Sequence, residues 1–401
     1  MKVITAGPTL RPQTSVVKDA VALRRRLHRR PELSGFEHQT TALIRERIRR
    51  IGLTELPCPT PTGAVALLET GRPGPRIMLR ADIDALPVTE ASGVPFTSEV
   101  PGRMHGCGHD GHTAILLAVA ETLAAGDGLA ASYAFCFQPA EETLSGARTM
   151  VEGGLLDTAR PDRVIGLHLS SLLPSGTVCV REGIQLAWAA GFRITLQGEG
   201  GHNATAARSL THRLGAICLR VPEIVEGLFA EDTSAIASVG DVRTDGAWNT
   251  SPTQATMSGT HRAFSAEHHA VLTERLSELV EEVGAELEIT TTCPAVVNDV
   301  PTVGALRLAC ADLGVPTLTL EHPLVFADDV AELMRRVPGC YFLLGARPPE
   351  LEPGPPHHSP KFRIDEAPFG AAIAVLATLA ARLGATTTQK EESACPTTER
   401  P

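Results

Sequence analysis

The chain has 401 residues, more than one ordinary hydrophobic core accommodates, so two domains are the expectation. Its formal net charge is −10, its one basic cluster is the helix-like "LRRRLHRR", and no apolar run reaches membrane-spanning length, which argues against nucleic acid and against a membrane as partners. The nine cysteines, scattered singly from Cys58 to Cys395 without a CxxC pair, read as reduced thiols, and the start "MKVITAGPTLRPQTSV" lacks the apolar block of a secretory signal, so a cytoplasmic location is expected.

In chain order, "RIMLRADI", "HTAILLAVAETLAA", "SYAFCFQ", "ARTMVEGGLL" and "RVIGLHL" alternate strand-like and helix-like runs, which predicts an α/β unit with a mainly parallel sheet. From about residue 187 the order becomes strand "FRITLQGEG", helix "LTHRLGAICLRVPEIVEGLF", strands "AIASVGDV" and "TQATMSGTHRAF", helix "AEHHAVLTERLSELVEEVGAE" and strand "LEITTTC". That β-α-β-β-α-β order predicts an inserted ferredoxin-like α+β domain. The βα style returns after residue 297 with "VGALRLACADLG", "CYFLLGA" and "APFGAAIAVLATLAARLG". The expected division is a discontinuous domain of residues 1–186 and 297–386, an insert of 187–296, and a disordered polar tail of 387–401.

Ligands of parallel sheets collect beyond the carboxyl ends of the strands, and the chemistry-bearing residues cluster there. Asp82 and Asp84 end the first strand, Glu141 and Glu142 follow the second, and His168 closes the third. Between the first strand and its helix lies "MHGCGHDGHTA", with Cys107 and His109. Thiolate, imidazole and carboxylate together suit zinc, manganese, cobalt or nickel. Gly106, Gly108 and Gly111 are expected to let the backbone turn so that these ligands converge. Each residue alone has a blander reading: Cys107 as a small hydrophobe, the paired glutamates as a solvated helix start, His112 as helical surface.

"LRADIDALPVTE", "MHGCGHDGHTA", "FQPAEETLSGARTMVEGGLL", "GLHL" and "HHSPKF", in this order, resemble the metal-dependent aminoacylase/carboxypeptidase family. The branch is the one containing hippurate hydrolase, indole-acetyl-amino-acid hydrolase and N-acetyldiaminopimelate deacetylase. The resemblance runs from about residue 17 to residue 385 and implies a metallopeptidase catalytic domain with an inserted lid and dimerisation domain. It implies two divalent metal ions per subunit, held by Cys107, His109, Glu142, His168 and His358, with Cys107 shared. It makes Glu141 the general base toward a metal-activated water, and Asp84 the residue that orients a ligand histidine or the base. Asp82 is either a second such group or a turn cap. His105, Asp110 and His112 are expected to support the ligands or cap the helix, and His357 to be an ordinary loop residue. On the insert, His202 and Asn249 would reach a metal site, commonly the partner subunit's, to stabilise the oxyanion, and Arg262 would hold the substrate carboxylate.

The substrate side departs from the family pattern, with "HNATAARS" after His202, "NTSP" after Trp248, His261 before Arg262, and "DDV" at Asp328 to Val330. The expected activity is cleavage of the amide bond of an N-acyl amino acid or related small amide by a homodimer. An amide-forming or acyl-transferring enzyme on the same site, and a non-catalytic binding protein of the same fold, are the alternatives.

Overall fold

A computed structural model describes residues 7–205, 209–226 and 235–385, and the expected tail of 387–401 lies outside the described residues. The larger sheet has eight strands in the order Thr54–Leu56, Ala64–Leu68, Ser132–Gln138, Arg76–Asp82, Arg163–Pro174, Gly339–Arg347, Val178–Val180 and Thr317–Thr319. Its centre is parallel: Arg76–Asp82 pairs in parallel with both Ser132–Gln138 and Arg163–Pro174, and Arg163–Pro174 with Gly339–Arg347. The outer pairs Thr54–Leu56 with Ala64–Leu68, and Ala64–Leu68 with Ser132–Gln138, are antiparallel.

Alternation along the central strands explains why helices cover both faces. Ile77, Leu79 and Ala81, with Tyr133, Phe135 and Phe137, enter one core beside the helices Thr14–His28, His109–Ala124, Val300–Leu313 and Phe369–Gly384. Met78, Ala134, Cys136 and Val164 enter a second core on the opposite face, against the short helices Gly146–Glu152, Leu155–Ala159 and Ala331–Met334. The single helix expected over "ARTMVEGGLL" is thus two, divided at Gly153 and Gly154, where Gly154 takes a left-handed φ of 90°. None of these helices is long and apolar enough to cross a membrane.

A separate four-stranded antiparallel sheet has the order Ile236–Thr244, Gln254–Ala263, Trp188–Gln197, Glu286–Cys293. In sequence order that is 2-3-1-4, the ferredoxin-like arrangement. The helices Leu210–Arg220 and Ala266–Glu282 pack on one face through a core of its own, containing Phe192, Ile194, Leu214, Ile217, Met257, Leu272 and Leu276. Ser265 caps the second helix by accepting from the His268 backbone N–H at 3.0 Å. The helix expected to continue through "VPEIVEGLF" stops at Arg220, because Pro222 begins a 3-10 turn, Pro222–Val225.

Candidate metal centre

The strand ends and the start of the helix His109–Ala124 assemble the site. Gly108 precedes that helix with a φ of 100°, a backbone only glycine adopts readily, and so turns Cys107 and His109 toward each other. The other two glycines act differently from expectation: Gly106 and Gly111 have no positive φ. At Gly111 a Cβ would stand 2.6 Å from Leu169 Cδ1, so this glycine serves the close approach of helix and strand.

Donor atoms converge in two overlapping sets, each with all atoms within 4.8 Å of one another: Cys107, His109 and His168, and Cys107, Glu142 and His358. The Cys107 Sγ to His168 Nε2 distance is 3.4 Å, and His358 Nε2 lies 3.3 Å from Glu142 Oε2. The imidazole tautomers suit a cation. His109 Nδ1 faces the Asp84 carbonyl oxygen at 3.0 Å and Asp84 Oδ1 at 3.2 Å, and His168 Nδ1 faces the Leu169 carbonyl oxygen at 2.8 Å. In both rings the proton therefore belongs on Nδ1, and the lone pair of Nε2 points into the site.

His109 Nε2 and Glu142 Oε1 are buried with no hydrogen-bond partner among the described residues, a costly state for polar atoms that a shared cation relieves. Electrostatics lead to the same reading. Burial, with Asp328 and Glu142 nearby, pushes the Glu141 carboxyl well above the usual range, and burial raises Glu142 to about 7. Burial and then Glu142 push the Cys107 thiol up in the same way. Burial alone would lower His109, but Asp82, Cys107 and Asp84 outweigh it and hold the ring well above its ordinary value. Negative charge is thus in excess among these donors, and divalent cations supply what is missing. The residues fit a metal centre.

Asp84 ties the site together. Besides His109 it accepts from the Glu142 backbone N–H at 3.0 Å and from the Ser34 hydroxyl at 2.7 Å. Asp82 does not cap the turn: its Oδ1 faces His112 Nδ1 at 2.6 Å and its Oδ2 accepts from Arg80 at 2.8 Å. His112 is not helical surface but buried, and its Nε2 accepts from the Leu169 backbone N–H at 2.9 Å, linking the helix to the strand that carries His168. Asp110 is no helix cap either. It is fully buried and pairs with Arg24 Nε and His28 Nδ1, each at 2.8 Å. His105 is buried beside this cluster with neither ring nitrogen partnered among the described residues. His357 leaves the role of a solvated loop residue as well, since its Nδ1 is 3.7 Å from Cys107 Sγ.

Sequence reasoning missed a further group. Arg80 donates to Gln138 and pairs with Asp82, Asp328 and Asp329, so one buried guanidinium faces three carboxylates. Asp328 and Asp329 also stand with Glu141, their carboxylate oxygens within 4.8 Å of one another. Burial, with Asp328 adding to it, raises Asp329 to about 7. The available signal was period two: Arg80 and Asp82 share one face of their strand, and an arginine in a buried strand demands acids around it.

His202 and Asn249 lie at a separate two-stranded sheet on the insert, where Gly201–His202 pairs with Thr250–Ser251 and the Asn203 backbone N–H donates to the Asn249 carbonyl at 3.1 Å. Arg262 instead donates to the Val325 carbonyl at 3.2 Å. Among the described residues, no hydrogen bond or ion pair joins these three side chains to Cys107, His109, Glu141, Glu142, His168 or His358.

Residues 78–382 match the model of peptidase family M20/M25/M40. The chain belongs to this family. It is 34% identical to the N-acetylcysteine deacetylase of Bacillus subtilis over 370 residues, covering 90% of this chain and 95% of that one. To thermostable carboxypeptidase 2 of Saccharolobus solfataricus it is 32% identical over 361 residues, covering 86% of this chain and 90% of the relative. Among solved structures, the Bacillus subtilis YXEP protein, described as a dinuclear metal binding peptidase of family M20, superposes with a TM-score of 0.78 at 31% identity. It covers 94% of this M20 chain and 100% of its own.

Proposed function

We propose that this metal-dependent amidohydrolase of family M20 cleaves the amide bond of an N-acyl amino acid or a related small amide. The carrying observation is the pair of overlapping donor sets that share Cys107, with unpartnered donor atoms on His109 and Glu142. Cys107, His109 and His168 would hold one divalent ion, and Cys107, Glu142 and His358 the other. Zinc, manganese, cobalt and nickel all suit thiolate, imidazole and carboxylate. When bound, the ions supply Lewis acidity toward the amide carbonyl and toward a water molecule.

Glu141 takes a proton from that water and delivers it to the departing nitrogen. A buried carboxylate beside His109 and Glu142, adjoining both donor sets, suits a group that must hold the proton between the two transfers. Asp84 fixes the His109 ring and, through the Glu142 backbone, the start of the segment carrying both glutamates. His202 and Asn249 act across a homodimer formed through residues 187–296, donating to the oxyanion of the neighbouring site, and Arg262 binds the substrate carboxylate. The relatives named as a deacetylase of N-acetylcysteine and as a carboxypeptidase support this substrate class.

The test is a metal-reconstituted screen against N-acetyl, N-benzoyl and indole-acetyl amino acids, with product analysis in the presence and absence of an added amine. Equal release of the acid and the amino acid is expected. A new amide formed from the added amine in preference to the acid would replace hydrolysis with acyl transfer.

A further inference from the structure

Cys107 stands between two imidazoles that approach it through different nitrogens. His168 presents Nε2 at 3.4 Å while its Nδ1–H is committed to the Leu169 carbonyl, so it has a lone pair to offer in the direction of the sulfur. His357 presents Nδ1 at 3.7 Å. Its ring is held by Phe362, at a centroid distance of 4.9 Å and an interplanar angle of 47°, and against His168 at 5.3 Å and 55°. The two adjacent histidines are parted by the backbone. His358 takes a left-handed φ of 64°, and its N–H donates to the Gly106 carbonyl at 2.9 Å. His358 thereby reaches Glu142 while His357 reaches Cys107.

His357 also differs from the proposed ligands in its surroundings. Among the described residues its nitrogens join none of the groups of three or more donor atoms that could enclose an ion. Its nitrogens face Cys107 and none of the other donors: the sulfur at 3.7 Å and a backbone group of the same residue. A ring nitrogen directed at a thiolate, and at no other ligand atom, suits N–H···S donation rather than coordination.

We propose that His357 is a positioning residue that donates its Nδ1–H to the Cys107 thiolate and thereby reduces the electron density this sulfur gives to the metals. The proposal rests on the two-metal reading above. A hydrogen bond to a ligand sulfur withdraws charge from it, the same lever that tunes copper–thiolate and iron–sulfur centres. In this site it leaves the ions stronger Lewis acids while Cys107 remains bound.

Cobalt(II) is the probe, loaded into the full-length wild-type, His357→Leu and His357→Asn chains. Leucine removes the donor, whereas asparagine can return an N–H near the Nδ1 position. Equal cobalt content is expected in all three by elemental analysis. The sulfur-to-cobalt charge-transfer absorption should move to longer wavelength in His357→Leu and back toward the wild-type position in His357→Asn. An unmoved band in a folded, loaded His357→Leu chain overturns the proposal. Loss of a cobalt ion from that variant overturns it too, by making His357 a ligand. Should His357→Leu not fold, His357→Phe keeps a ring without the donor and is read the same way. A wild-type chain that binds cobalt without any sulfur-to-cobalt band would defeat the shared Cys107 ligand itself, and is distinguished from failure at His357 alone by appearing before any substitution is made.

Discussion

Glu141 and Glu142 are chain neighbours with different surroundings, and that difference separates their proposed roles. Both stand near His109, but Glu142 also stands with Cys107 and His358, whereas Glu141 stands with Asp328 and Asp329. Glu141→Gln keeps the size and most of the polarity but cannot accept a proton. It should therefore retain both metals and lose on the order of a hundredfold or more in turnover. Near-normal kinetics at full metal content would move the base elsewhere. Cys107→Ala should do the reverse, removing most bound metal along with activity while leaving the fold, because the residue lies in a loop at the strand ends and belongs to neither core of the large sheet. Undiminished metal by elemental analysis, with an unchanged circular dichroism spectrum, would defeat its assignment as a shared ligand.

At the scale of elements, the helix His109–Ala124 is fixed at its first turn by two buried polar contacts, His112 to the strand ends and Asp110 to the helix Thr14–His28. The Arg24 and Asp110 side chains are 1% and 0% exposed, so breaking the pair by Asp110→Asn should cost about 3 kcal/mol near neutrality. The cost should depend on pH in a definite direction. Asp110 is held well below its ordinary value, against the burial that opposes this, first by Arg24 and then by His28. Its contribution is therefore complete above the unfolded value of about 4 and disappears as pH falls through the lower folded one. His28 is raised despite burial, chiefly by Asp110. Its contribution is complete below about 6.5 and disappears as pH rises through the folded value. The stability gap between wild type and Asp110→Asn should thus be widest between about pH 4 and 6.5, narrowing sharply in acid and partly in alkali, where Arg24 still pairs. Urea midpoints of the metal-free proteins at pH 3, 5.5 and 9 measure it, and a gap independent of pH would sink the argument.

For the whole molecule, the decisive relation is between His202 and the metal centre. His202 is exposed, it lies near the 91%-exposed Trp248 in a two-stranded pairing with Thr250–Ser251, and among the described residues no hydrogen bond or ion pair joins it to the donors of its own chain. The proposed homodimer would bring this pairing to a neighbour's centre, and among the described residues the ferredoxin-like sheet has its helices on one face and two edge strands to cover. Mixing His202→Ala chains with Glu141→Gln chains, each inactive alone, should restore part of the activity, since some mixed dimers then hold one complete site. A fully active monomer by sedimentation at the assay concentration would remove the shared site, as would no recovery after proven subunit exchange.

The sequence by itself determined the alternation of elements, because apolar periodicity is local and the strands at Arg76–Asp82 and Ser132–Gln138 and the helices around them follow it. It also determined the donor types, since thiol, imidazole and carboxylate chemistry travels with the residue wherever the chain goes. The tertiary structure decided partners. Whether His112 faces solvent or Asp82, whether Asp110 caps a helix or pairs with Arg24 across 86 positions, and which acids surround Arg80 all depend on segments far apart in the chain. The physical reason is burial: a polar side chain taken out of water must find its partner in space, and a one-dimensional pattern records the need without recording who meets it. His357 is the sharpest case. Its neighbour in the chain is His358, but the sulfur it faces lies 250 positions away.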